Sequence, residues 1–360
     1  MNDGIPFLPE EIIRNILKRL PVKSLMRFQC VCRQWRILFK TPSFIANHLD
    51  HSNHQNPCLL LQRYGIDNPS NLYCLDSEMQ VRELQNPPKQ GKIVGSSNGL
   101  LCVEINKHDA PPHFLLVWNP TIREVRLVPE TNISKDYGHH LVGFGFCPII
   151  NDYKIVITYF SGVYSDLSAV KVYSLSLGAW KEVEFRLNDT VGLSSSSVTV
   201  NGVMFWLMSK RFGEDPDDED ENLIVSFDLS VEVFTVIPIP ELEPIELTVY
   251  EEKLAIFSWN RSSEHPGTDM WVMEEGVGAS GERWGWTKKY TCSPDPFFLN
   301  PRTILRNEIV CCPLWEDEST VVFLNPTSEK MKKFAISKCD YGYCIFNYAE
   351  SLIPAFTNFL

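Results

Sequence analysis

Apolar positions fall at helical spacing only near the start of the chain. In the run from Leu8 to Pro21, the residues Ile12, Ile13, Ile16, Leu17 and Leu20 share one helix face. Pro9 stands where a missing N–H costs nothing, Glu10 and Glu11 occupy the first turn, Lys18 and Arg19 the last, and Pro21 stops the helix. The pattern predicts three more short helices, over 22–28, around 32–38 and over 42–49. Residues 51–57, polar and ending in Pro57, read as a linker, which sets off a helical domain over 1–50. A domain of that size lies close to the lower limit for independent folding. It nevertheless carries two faces' worth of Leu, Ile, Val, Phe and Trp. Either the rest of the chain covers that surplus or a separate protein does.

Beyond the linker the helical period gives way to short β-branched and aromatic runs broken by Gly, Pro, Asn and Asp. One unit recurs, an apolar strand ending in a polar turn, at 73–76, 117–120, 172–175, 226–229, 271–274 and 323–326. The intervals are 44, 55, 54, 45 and 52 residues. A strand precedes the unit at 98–103, 201–206, 252–257 and 307–312, and the Asn-Gly pairs opening two of these predict hairpin turns with positive φ. A period of about fifty residues with several strands each marks kelch-like propeller blades. Six repeats predict a six-bladed propeller over 58–360, whose ring closure removes exposed sheet edges. An irregular β-sandwich or open sheet is the competing architecture. The expected fold class is multidomain α+β, a small N-terminal helical domain followed by an all-β propeller.

Composition changes the picture in two respects. With 44% hydrophobic and 22% charged residues among 360, the chain can bury a large core without disulfide or metal staples. Its apolar runs are short, Val203-Met204-Phe205-Trp206-Leu207-Met208 among them, against the ~20 residues of a membrane helix, so no membrane partner is expected. The first residues lack the basic start and apolar stretch of a secretory signal, and eleven cysteines without regular spacing suit a reducing compartment. Cytosol or nucleus is the expected location. The net charge of −12 is unevenly spread, with eight Lys and Arg against four Asp and Glu in residues 1–50, and 25 against 41 in the remainder. An acidic bulk repels phosphate backbones, so nucleic acid is not an expected partner. The basic amino-terminal module suits an acidic one.

The string Leu8-Pro9-Glu10-Glu11-Ile12-Ile13, Ile16-Leu17, Arg19-Leu20-Pro21-Val22-Lys23-Ser24-Leu25, Arg27-Phe28, Cys30-Val31-Cys32 and Trp35 resembles the F-box, almost without gaps. The resemblance implies docking onto the acidic Skp-type adaptor of an SCF ubiquitin ligase, and through it onto cullin. By that analogy Leu8, Pro9, Ile12, Ile16, Leu17, Leu20, Pro21, Val22, Leu25, Cys30, Val31 and Trp35 make the adaptor interface or support it. The remainder resembles the F-box-associated domain of a large plant family. The matching pieces are Gly95-Ser96-Ser97-Asn98-Gly99-Leu100-Leu101, Trp118-Asn119-Pro120-Thr121, Leu127-Val128-Pro129, Gly143-Phe144-Gly145-Phe146, Asp152-Tyr153-Lys154-Ile155-Val156 and Trp180. The closing Asn347-Tyr348-Ala349-Glu350-Ser351-Leu352-Ile353-Pro354 is similar to the tail of the S-locus F-box branch, whose members recognise S-ribonucleases. That likeness implies a basic protein target.

Patterns for bond chemistry are sparse. Gly143-Phe144-Gly145 opens neither a helix nor a βαβ unit, and reads as a place where strands pack closely. His48, His51 and His54 are spaced three apart but straddle a helix end and the linker without a fourth ligand, which reads as solvated chain. His139-His140 reads as a turn leading into a strand, with no acid–base partner. Cys30 and Cys32, Cys311 and Cys312, and Cys339 and Cys344 lack zinc spacing and read as buried small hydrophobes. No metal and no cofactor is expected. The run Glu214-Asp215-Pro216-Asp217-Asp218-Glu219-Asp220-Glu221 lacks the Gly and terminal Glu of a calcium loop. Its default reading is a solvated loop; Glu214, Asp215, Asp217, Asp218, Glu219, Asp220 and Glu221 are also a candidate target-binding loop, since dense acid speeds encounter with a basic partner. The expected function is a non-catalytic substrate receptor that brings a target for ubiquitination and proteasomal degradation. Two rivals stand beside it. One is a propeller enzyme with an incidental helical cap, which needs converging ligands or paired carboxylates at the centre. The other is an F-box scaffold acting outside ubiquitin ligation.

Overall fold

A computed structural model describes residues 8–63, 71–76, 78–84, 87, 91–105, 114–131, 139–161, 166–184, 191–193, 197–210, 221–239, 242–260, 267–275, 284–292, 299–313, 320–336 and 343–356. The helical module comprises α1 (Glu10–Leu17), α2 (Val22–Phe28), α3 (Arg33–Leu38) and α4 (Pro42–Gln55). Pro9 and Pro21 stand directly before α1 and α2. Cys32 Sγ accepts from the Trp35 N–H and Thr41 Oγ1 from the Phe44 N–H, both at 3.4 Å, satisfying donors at the starts of α3 and α4. α4 does not stop at Leu49. Residues 51–55, expected in the linker, are helical, because no Gly or Pro interrupts the chain before Pro57 and Ser52 is buried on the inner side of the helix.

Six antiparallel sheets follow as propeller blades. Blade 1 holds β1 (Cys58–Arg63), β2 (Leu72–Leu75) and β3 (Val81–Leu84); blade 2 holds β4 (Lys92–Ser97), β5 (Leu100–Ile105), β6 (Phe114–Asn119) and β7 (Glu124–Leu127). Blade 3 holds β8 (His139–Cys147), β9 (Asp152–Ser161), β10 (Asp166–Ser174) and β11 (Ala179–Val183). In blade 4, β12 (Val191–Leu193) and β13 (Val198–Val200) both pair with β14 (Val203–Lys210), followed by β15 (Glu221–Asp228) and β16 (Val233–Pro238). Blade 5 holds β17 (Glu243–Tyr250), β18 (Lys253–Asn260), β19 (Gly267–Glu275) and β20 (Trp284–Cys292). Blade 6 holds β21 (Leu299–Leu305), β22 (Glu308–Pro313), β23 (Thr320–Leu324) and β24 (Met331–Ala335), and β25 (Tyr343–Tyr348) returns to complete blade 1.

The recurring unit of the sequence is the third strand of every blade, and the strand before it is the second. Asn98 and Gly99 (φ 52° and 80°) and Asn201 and Gly202 (48° and 82°) make the two expected positive-φ turns. Glu251 and Glu252 (46° and 59°) and Arg306 and Asn307 (52° and 62°) make the same turn without glycine. Alternation along each strand sends neighbouring residues into different seams between blades. Leu59 and Leu61 pack towards blade 6, for example, while Cys58 and Leu60 pack towards blade 2. Close packing explains Gly143 and Gly145 on β8: a Cβ at either would lie 2.1 Å from Met204 Sδ or 2.5 Å from Thr199 of blade 4.

Two devices close the ring. β25 pairs with β1 from Cys58 opposite Tyr348 to Arg63 opposite Tyr343. The tail beyond it is then fastened across blade 2. Asn119, fully buried, accepts from the Thr121 N–H at 3.0 Å through its side-chain oxygen. Through its amide nitrogen it donates to the Ser351 and Ile353 carbonyls, at 3.0 and 2.8 Å. Glu124 accepts from the Ala355 N–H at 3.0 Å, and the hydroxyls of Thr121 and Tyr348 meet at 2.8 Å. Leu352 and Ile353 join one apolar cluster with Leu17, Val22, Leu25, Phe39 and Phe44 of the helices and with the seam between blades 2 and 3. The tail therefore lies in the joint between module and propeller.

Each sheet is antiparallel; blades 2 to 6 run in chain order from the inside out and β25 takes the innermost place in blade 1, so the inner strands β4, β8, β13, β17, β21 and β25 all point the same way. They end on the face that carries the helices, where Arg306 donates to the Gln55 carbonyl at 3.2 Å. They begin on the opposite face.

Asn119→Ala strands two buried tail carbonyls, and a cost of about 1–3 kcal/mol is expected, read as a lower urea midpoint with an unchanged m-value.

Candidate functional site

The helical module turns one side to the propeller and another to solvent. Leu8, Ile12 and Ile16 stand four apart, in one row along α1 and the residues before it, and are 54%, 45% and 49% exposed. Pro9, Pro21, Cys30 and Val31 are exposed as well; Leu20 and Trp35 are half-buried; Leu17, Val22 and Leu25 are buried in the joint with the propeller. The residues singled out from the sequence thus divide into an outward set and a set that supports it from beneath. Cys30, expected as a buried small hydrophobe, is exposed because it lies in the turn after α2. Ile37 on α3 is also 55% exposed and was not singled out, since periodicity alone assigns it to a core face. Arg19, Lys23, Arg27, Arg33, Arg36 and Lys40 are all exposed, as are Glu10 and Glu11 of α1, so the exposed surface of the module carries a surplus of positive charge.

His48 is not solvated chain. It is buried on α4, with Nε2 donating to the Leu20 carbonyl at 2.9 Å and Nδ1 buried without a partner among the described residues. Burial holds its pKa below the ordinary 6.5 and the nearby His51 adds to this; the Leu20 carbonyl and Glu350 pull the other way without prevailing. Among the described residues no group of His, Cys, Asp and Glu forms a metal site.

The inner strands enclose a channel of about 680 Å³. Its charged groups lie near the beginnings of those strands, on the face opposite the helices. The expectation for His140 fails here. It lies in β8, lines the channel, and sets Nε2 2.5 Å from Glu104 Oε1, on β5 of the neighbouring blade. Their partnership was invisible in sequence because 36 residues separate them. A second pair joins blades 5 and 6, with Arg302 Nη1 donating to Glu246 Oε2 at 3.1 Å. Arg302 sits where β21 slips register against β22, and Ile245, next to Glu246, where β17 slips against β18. Such bulges re-aim side chains. The matching Pro244-Ile245-Glu246 and Pro301-Arg302-Thr303 are the signal that could have located this pair, since proline within a strand marks a free edge or a bulge.

The two pairs face each other from blades 2 and 3 and from blades 5 and 6. Each carboxylate has its own partner, His140 for Glu104 and Arg302 for Glu246, and the two do not converge as an acid–base couple would. Towards the helix-bearing face the lining becomes hydroxyl and amide. Thr248 Oγ1 donates to Thr303 Oγ1 at 3.4 Å, Asn347 Nδ2 donates to Thr303 Oγ1 at 3.1 Å, and Ser96 Oγ donates to the Asn347 carbonyl at 3.0 Å.

Of the acidic run, Glu214, Asp215, Asp217, Asp218, Glu219 and Asp220 lie outside the described residues. Glu221 opens β15 and pairs in register with Lys210 of β14 at the end of blade 4 away from the helices.

Two family models match the chain, an F-box domain over residues 5–47 and an F-box associated beta propeller domain over residues 51–358. The F-box protein CPR1 of Arabidopsis thaliana is 25% identical, with 96% of this chain and 88% of that one covered. Another F-box protein of the same plant is 30% identical over 65% of this chain and 61% of its own length. Among solved structures, TolB from Acinetobacter baumannii gives a TM-score of 0.44 at 8% identity, covering 84% of this chain and 71% of that one.

The outward and supporting sets should separate on substitution. Leu17→Ala is expected to cost about 2–5 kcal/mol in urea unfolding, whereas Ile12→Ser and Ile16→Ser should each stay within about 0.5 kcal/mol. His48 gives a pH signature. The unfolded chain takes up a proton near pH 6.5 and the buried ring resists it, so this contribution to stability is present above that pH and lost as pH falls below it. The wild-type urea midpoint should fall between pH 7 and 5 more steeply than that of His48→Gln.

Proposed function

Because this chain belongs to the F-box proteins that carry an F-box-associated β-propeller, we propose that it is the substrate-recognition subunit of an SCF-type ubiquitin ligase. The observation that carries the reading is the exposed row Leu8, Ile12 and Ile16 on a net basic module whose other side is anchored in the propeller. Clustered apolar anchors of this kind are what an interface core is made from, and the module's surplus of positive charge suits an acidic Skp-type adaptor. Leu17, Val22 and Leu25 hold that surface in shape rather than touching the adaptor. Cullin joins through the adaptor.

In this reading the chain performs no bond chemistry. It raises the concentration of a target lysine near a charged ubiquitin thioester, and proximity is its mechanism. The far propeller face is the target side, since the helices occupy the other. A basic protein is the target class, supported by the surplus of 16 acidic over basic residues beyond residue 50 and by the acidic run 214–221 in the sequence. An S-ribonuclease is the first candidate within that class, on the likeness of residues 347–354 to the S-locus branch. Cytosol and nucleus are the compartments in which the complex would work.

Leu8→Ala combined with Pro9→Ala should weaken binding to a purified Skp-type adaptor at least ~10-fold, about 1.4 kcal/mol, with the far-UV circular dichroism unchanged. Undiminished binding by the folded double variant rejects the interface.

A further inference from the structure

The charged end of the propeller channel has features that inter-blade clamping leaves unexplained. Arg302 lines the channel with its side chain 37% exposed, while its partner Glu246 is only 12% exposed. Only Nη1 of the guanidinium donates to a protein group, and Nε has no partner among the described residues. A guanidinium fork that spends one nitrogen on a carboxylate keeps a second edge suited to two oxygens of an anion. The side chain is placed there by the register slip of β21, a local departure from regular pairing.

The surroundings limit what such an anion can be. The channel volume of about 680 Å³ falls within the range of roughly 300–1,000 Å³ typical of small-molecule sites. Thr248, Thr303, Asn347 and Ser96, deeper in the channel, offer hydroxyl and amide groups already linked to one another. Lys92 lies two blades round from Arg302, with blade 1 between them, so that sector carries both cations. Glu246, engaged by Arg302, and Glu104, engaged by His140, bound the sector on either side.

We propose that the channel is a binding site for a small polar oxyanion, a carboxylate or phosphate on a hydroxylated body, anchored by Arg302 and read by the hydroxyl ring beneath it. The site is separate from the helical face and does not depend on adaptor binding. Glu246 competes with the ligand for the same guanidinium, which gives the site an internal brake.

The test uses the full-length chain with three probes, citrate, malate and inorganic phosphate, read by thermal unfolding and titration calorimetry. At least one probe should raise the unfolding temperature in a concentration-dependent way. Response to citrate or malate alone identifies a carboxylate ligand, and response to phosphate alone a phosphate; either supports the site. Arg302→Gln should weaken the fitted Kd at least ~10-fold. Glu246→Gln should tighten it about 3-fold or more by freeing the guanidinium. A wild-type chain that none of the probes stabilises overturns the proposal, as does a response that Arg302→Gln leaves intact. Should Arg302→Gln fail to fold, Glu246→Gln carries the test alone, and an unchanged or weaker Kd there overturns it.

Discussion

The pairing of β25 with β1 is the constraint on which the rest of the molecule depends. It joins residues near the two ends of the chain in one sheet, and without it six blades form an open arc with an unpaired edge at each end. Every seam between blades buries its own cluster of side chains, so closing the ring completes a circle of packing contacts as well as a ladder of hydrogen bonds. The channel exists only because the circle is complete. The helical module is held by the same device, since Leu352 and Ile353 follow directly from β25 and enter the cluster into which the helices pack.

Closure also sets the division of labour between the two faces. The inner strands deliver their ends to the helices and their beginnings to open solvent, with the ionic groups of the channel at the open end. A receptor that must hold an assembly on one side and a target on another gains from this arrangement. The propeller separates the two surfaces by its own thickness, and the joint through Leu17, Val22, Leu25 and Phe44 fixes their relative orientation. The apolar row on α1 and the interior of the ring are thus two surfaces with different chemistry, one apolar, the other polar and hydrogen-bonded.

Much of this was legible in the sequence, for reasons that are local. Helix starts and stops are written by Pro9 and Pro21, and β-hairpins by Asn98-Gly99 and Asn201-Gly202. The third strand of each blade repeats its apolar-then-polar ending because every one crosses the same environment. What escaped is non-local. The partnership of His140 with Glu104 spans two blades, and the linkage of Arg302 to Glu246 spans 56 residues. Asn119 could be recognised as part of a motif, yet its task of fastening a tail 232 residues away has no periodicity to betray it. The overrun of α4 to Gln55 has a different cause, since polar residues at a helix end look like a linker whenever nothing marks the stop.

The distance along the chain between the two strands that close the ring bears on how this protein is made. β1 is made before the five other blades and β25 after them. At roughly 5–20 residues per second, the nascent β1 waits on the order of 15–60 s for its partner. For that interval Leu59, Leu60 and Leu61 belong to a sheet edge with no neighbour, the kind of edge that recruits strands from other molecules. The yield of native protein then depends on how well that edge is shielded until β25 arrives.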